Sequence, residues 1–112
     1  MNNTNLLLGQ HTNLRRTTDE RFAFVAALCR DPELTPADKV IAFVLLDHFS
    51  DTAGLTMMSR SAIIGCAGLT EKTVGDASHR LERRGWFSVE RNLLRTHAYV
   101  PTWSRLDEAF AA

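Results

Sequence analysis

The chain has 112 residues, thirteen basic against thirteen acidic side chains, and 45% apolar residues. That length allows one core but no separate ligand-binding domain, and the composition excludes wholesale disorder and fibrous structure. No apolar stretch approaches the roughly 20 residues of a membrane-spanning helix, so a soluble protein with a cytoplasmic location is expected.

Residues 1–16 are rich in Asn and Thr, lack an apolar period and read as a flexible N-terminal arm. Thr17 and Glu20 have capping-box spacing, and Phe22, Val25, Ala26 and Cys29 follow at helical intervals, predicting a helix that ends near Arg30. A second helix starts with Thr35 as N-cap, Pro36 at the first helical position and Asp38 in the first turn, and continues to about Phe49. Its apolar residues cover most of the circumference, from Val40 to Leu46, which predicts a central helix covered on several sides.

Ser50 to Gly54 form a turn, and Leu55 to Met58 a short extended segment. Ser59 caps a short helix closing near Cys66 and Ala67, and Gly68 supplies a tight turn. Thr70 caps the next helix, in which Val74, Ala77 and Leu81 give a buried stripe, and Gly85 stops it. Two short strands follow, Trp86 to Glu90 with Phe87 and Val89 inward, and His97 to Pro101 with Ala98 and Val100 inward; Arg91 to Thr96 make the hairpin tip. Ser104 and Asp107 have capping-box-like spacing before Leu106 and Phe110, predicting a short C-terminal helix or tail over residues 104–112, with one domain over residues 17–103.

Charge is sorted along the chain. Residues 19–56 carry seven acids against three bases, and residues 57–97 seven bases against four acids. Such sorting predicts a molecule with an acidic back and a basic front, able to orient toward a polyanion at zero net charge.

The order of helix, short strand, helix, tight turn, helix and two-stranded ribbon gives a mainly α fold with a small β-ribbon, of the α+β class. With Leu69-Thr70, Thr73-Val74, Ala77, Leu81-Glu82, Gly85 and the closing Thr96 to Val100, the segment resembles the winged helix-turn-helix DNA-binding domains of GntR-like transcriptional regulators. It is similar, more loosely, to domains of phage and plasmid replication initiators. The resemblance implies sequence-specific binding of double-stranded DNA by a transcriptional regulator, with a recognition helix at about 70–84, a wing at about 91–96, and extra N-terminal and C-terminal helices. Gly75 inside that helix, the leucines at the wing tip and the lack of an effector domain depart from the family pattern.

On the stripe opposite Val74, Lys72 is placed to donate to guanine, Thr73 to touch a thymine methyl or a phosphate, and Asp76 to accept from cytosine. Phosphate contacts fall to Ser59, Arg60 and Ser61, to Arg80 and Arg83, and to Arg91, Asn92 and Arg95, with Thr70 at the helix start. A homodimer is expected through Phe22, Val25, Leu28, Leu106 and Phe110. The alternative is a winged-helix protein-interaction module, such as a phage-type inhibitor or a replication or assembly factor, docking through Leu93 and Leu94. Cys29 and Cys66 are expected as buried free thiols. His48 is expected to complement a helix C-terminus. The spacing of Cys, His and acidic residues suits no metal site, cofactor loop or catalytic motif, so neither a cofactor nor an enzyme activity is expected.

Overall fold

The computed structural model of the chain describes residues 17–106. The expected arm over residues 1–16, and Asp107 and Phe110 of the terminal helix, lie outside the described residues. Four helices and three strands follow in the order α1 (Thr18–Cys29), α2 (Pro36–Asp47), β1 (Thr56–Ser59), α3 (Arg60–Ala67), α4 (Glu71–Arg83), β2 (Phe87–Leu93) and β3 (Thr96–Pro101). A helical turn begins at Ser104. None of the described helices is long and apolar enough to cross a membrane.

The helix starts are built as their local sequences dictate. Thr17 and Glu20 close a full capping box on α1, and Thr35 and Asp38 do the same on α2. Ser59 caps α3 through the Ala62 N–H, and Thr70 caps α4 through the Thr73 N–H. Gly68 (φ 69°) and Gly85 (φ 79°) take the left-handed conformation that ends α3 and follows α4.

The strands form one antiparallel sheet in the order β1-β3-β2, so the expected two-stranded ribbon gains β1 as an edge. Tyr99 lies opposite both Thr56 and Val89, and Pro101 opposite Phe87, which sets the inward register. Val100, expected inward, is exposed; Tyr99 takes that role, because a shift of one residue exchanges the faces of a strand. The hairpin also runs longer than expected, to a two-residue tip at Leu94 and Arg95.

Phe24 is the hub of the core. Its ring is fully buried and meets Trp86, Phe87 and Trp103 edge-on at 5.0–5.8 Å. This turns α1 away from the expected orientation: Phe24, Ala27 and Leu28 face inward, while Phe22, Ala26 and Cys29 are exposed. Cys66 is exposed as well, so neither thiol is the buried core residue expected. On α2 the residues Ile41, Ala42, Val44, Leu45 and Leu46 are buried, but Val40 and Phe43 face outward, leaving one side of that helix uncovered. Leu28 and Leu106, expected at a dimer contact, are part of the monomer core.

Two acidic side chains tie the first half of the chain to the second. Asp38, fully buried, accepts from the Thr35 N–H at 2.8 Å and from Arg80 Nε at 2.6 Å. Asp31 accepts from Arg84 Nε and Nη2, from Trp86 Nε1 and from the Glu33 N–H. The expected acidic back and basic front therefore partly cancel across the α2–α4 contact.

Removing one member of a buried pair leaves an uncompensated charge. Asp38→Ala is expected to lower unfolding free energy by about 3 kcal/mol or more in urea titrations, with Arg80→Ala losing less because its end is partly solvated. The hydrogen bonds from Arg84 hold the Asp31 carboxyl well below the usual range. A depressed folded-state value adds stability above the unfolded value of about 3.9 and loses it as pH falls below that. Unfolding free energy of the wild type should thus drop steeply below about pH 4, and Asp31→Asn should flatten that drop; an unchanged slope would remove Asp31 as the source.

Candidate nucleic-acid interface

The exposed side of α4 carries Glu71, Lys72, Asp76, His79 and Arg83, while Val74, Gly75, Ala77, Ser78 and Leu81 are buried beneath it. The 3.6-residue period puts these two sets on opposite faces. Along one side of that face, Arg60 at the start of α3 lies over Gly75 and Arg91 of the β2–β3 hairpin bonds Glu82, whereas Arg80 on the other side is turned to Asp38 of α2. The sequence-predicted residues therefore fall on the starts of α3 and α4, on the last turn of α4 with Arg80 and Arg83, and on the hairpin, although their side chains are not equally available.

Lys72 Nζ donates to Asp76 Oδ2 at 2.9 Å, an exposed i,i+4 pair. That contact holds the Asp76 carboxyl below its ordinary value. Two expected base-reading groups thus neutralise each other in the free protein. Thr70 Oγ1 donates to Thr73 Oγ1 at 2.9 Å while accepting from the Thr73 N–H, so both threonines serve the helix cap first.

The arginines divide into two sets. Arg80, expected on phosphate, is committed to Asp38, and this ion pair raises its own basicity further. Arg91 donates to Glu82 at 2.8 Å, fastening the hairpin to α4 and lowering the Glu82 carboxyl. Arg83 and Arg95 are exposed on the surface of the candidate site. Arg60 lies across Gly75: a Cβ added there would stand 3.0 Å from Arg60 Nη1. Gly75, which weakens the helix by its backbone freedom, is the floor on which that guanidinium rests.

His97 sits on β3, opposite Met58 of β1. Burial, with Arg60 and Arg91 nearby, pushes its imidazole below its ordinary value, and its Nδ1 is shut from solvent without a hydrogen-bond partner. It is therefore neutral at pH 7 and adds no charge to the face. Sequence reasoning missed it, since only the pairing of β1 with β3 brings it near Arg60.

The hairpin tip is unusual in its chemistry. Leu94 has φ 59° and is 99% exposed. Two-residue hairpin turns ask for positive φ at their first central position, where glycine or asparagine is the ordinary choice. A leucine there costs about 1 kcal/mol of backbone strain and displays its whole side chain to water.

The remaining candidate chemistry is sparse. His48 caps α2 and its Nδ1 lies 3.0 Å from the Val44 carbonyl, in keeping with the expected helix-terminus role. Its Nε2 faces Cys66 Sγ at 4.0 Å. Among the described residues, no three His, Cys, Asp or Glu side chains gather into a metal-holding group.

Gly75→Ala should replace a poor helix former by a good one, a gain of up to about 1 kcal/mol, at the expense of displacing the flexible end of Arg60. The expected outcome is a higher urea midpoint with an altered Arg60 environment, seen in its Nε–H NMR signal. A lower midpoint would mean that Arg60 cannot yield.

No protein-family model, no curated protein and no solved structure matches the chain.

Proposed function

We propose that the chain is a winged-helix module that binds double-stranded DNA, with α4 as the reading helix and the β2–β3 hairpin as the wing. The observation that supports this best is the single outward face of α4, edged along one side by Arg60 from the capped start of α3 and by Arg91 of the hairpin. The face has the width of one helix, the element that the major groove of duplex DNA admits.

The ion pairs refine which residues carry the contact. Arg60, Arg83 and Arg95 are the phosphate ligands, with the Ser59 and Ser61 hydroxyls beside them. Arg80 and Arg91 act within the protein, holding α4 and the hairpin in place. Lys72 and Asp76 read bases by exchanging their mutual contact for groove edges, the former to guanine and the latter to cytosine. Such an exchange is inexpensive, since an exposed i,i+4 pair contributes only about 0.3–0.5 kcal/mol. Sequence preference is therefore set by a pair that selects its base partners together. A role as a transcriptional regulator follows from such binding at a defined site.

A second use of the same fold rests on Leu94. A fully exposed leucine at a position suited to glycine is poorly explained by phosphate binding, and fits insertion into an apolar pocket of another protein.

Salt dependence separates the arginines. Each lost phosphate contact should reduce the slope of log K against log salt by about 0.9 on duplex DNA. Arg83→Ala with Arg95→Ala should flatten the slope by about two contacts with an unchanged fold. Arg80→Ala should instead lower thermal stability. A double variant with wild-type affinity and slope would defeat the DNA assignment. Leu94→Gly should raise the stability of the hairpin by about 1 kcal/mol and leave duplex affinity intact; if it abolishes capture of a protein partner by the wild-type chain, the docking role of the tip stands.

A further inference from the structure

We propose that α1 and α2 together form a two-fold contact surface for a second copy of this chain, centred on Phe43. Both helices carry an outward stripe with the 4-3-4 spacing of a helix-bundle seam: Thr18, Phe22, Val25 and Cys29 on α1, and Pro36, Val40, Phe43 and Asp47 on α2. Phe22 is 59% exposed, Phe43 48% and Val40 42%, three large apolar side chains on one side of a small protein. Thr18 and Asp47 line the same cleft as Phe22, Val25 and Phe43, so the start of α1 lies beside the end of α2 and the two stripes run side by side in opposite directions. An isolated helix pair with such a seam is half of a four-helix bundle.

The charges select the occupant. Lys39 and Asp47 stand four residues before and four residues after Phe43, so the seam has opposite charges at its two ends. Lys39 has no ion-pair partner among the described residues, and the ion pair of Asp47 is a 4.0 Å approach to His48 Nδ1. Two copies of α2 crossing antiparallel at Phe43 bring Lys39 of each copy against Asp47 of the other. A surface that is apolar at its centre and complementary to itself at its ends is what an isologous dimer requires. The side of α2 that holds α4, with Asp38 on Arg80, faces away from this stripe, so both reading faces stay open in the dimer. The inference stands apart from the DNA assignment, since the contact itself uses no residue of α4.

Sedimentation equilibrium of the full chain over about 1–200 micromolar, a range that brackets micromolar dissociation constants, tests the seam without DNA. The wild type is expected to dimerise. Lys39→Asp and Asp47→Lys should each weaken the dimer about fivefold or more, through two repulsive contacts, and their combination in one chain should restore it to within about twofold of the wild type. Phe22→Ser with Phe43→Ser should weaken it at least about tenfold, with far-UV circular dichroism unchanged because neither ring belongs to the core. A monomeric wild type overturns the proposal, whether the stripe is then covered by residues 1–16 or by an unrelated protein. So does a dimer that survives the serine variant, or one that the combined charge exchange fails to restore.

Discussion

Asp31 and Asp38 form the constraint on which the remaining architecture rests. Each is withdrawn from water near the start of α2, and each is satisfied by groups that arrive from more than 40 residues further along the chain. A buried carboxylate tolerates little displacement of its donors, because any gap exposes it to the full desolvation cost. The C-terminal half of α4 is therefore pinned at two points, one turn apart, on Arg80 and Arg84. Trp86, fixed by the same Asp31, carries that constraint into the sheet and into the aromatic cluster around Phe24. Orientation of the outward face of α4 is a consequence of two carboxylates on the opposite side of the helix.

This arrangement accounts for a chain with sorted charges and no strongly basic surface. Much of the positive charge gathered in the second half serves the acids of the first half. Under the proposed DNA-binding reading, a smaller set is left for the polyanion, Arg60, Arg83 and Arg95, beside His97 and the paired Lys72 and Asp76. A face of that composition relies on shape and a few directed contacts more than on long-range attraction. On that reading the arginines left outside internal ion pairs, not the number in the sequence, set the expected salt response.

Local chemistry was legible in the sequence, and long-range chemistry was not. Thr17, Thr35, Ser59 and Thr70 cap helices, and Gly68 and Gly85 turn the chain, because each acts on backbone groups within three or four residues. The buried stripe of Val74, Ala77 and Leu81 follows from helical period alone. By contrast, the inward face of α1 depends on Phe24 finding Trp86 and Trp103, and the inward face of β3 on pairing with both β1 and β2. The roles of Arg80 and Arg91 were hidden for the same reason. In sequence an arginine paired with a buried carboxylate is indistinguishable from one that faces solvent, and Arg80 lies 42 residues from its partner. Gly75 carried a visible signal, a helix-weakening residue in mid-helix, whose explanation required the side chain of Arg60.

The Arg91–Glu82 contact has a bearing on how the hairpin meets a ligand. Two hydrogen bonds, from Nη1 and Nη2 of Arg91, tie β2 to the last turn of α4. A hairpin free to swing would surrender its motion upon docking, and the entropy so lost would be subtracted from affinity. Here that loss is incurred during folding, by a guanidinium that restrains the hairpin before any ligand arrives. If the DNA-binding proposal holds, helix and hairpin would approach the duplex together, and discrimination would shift from adaptation of the protein to the ability of the duplex to conform to it.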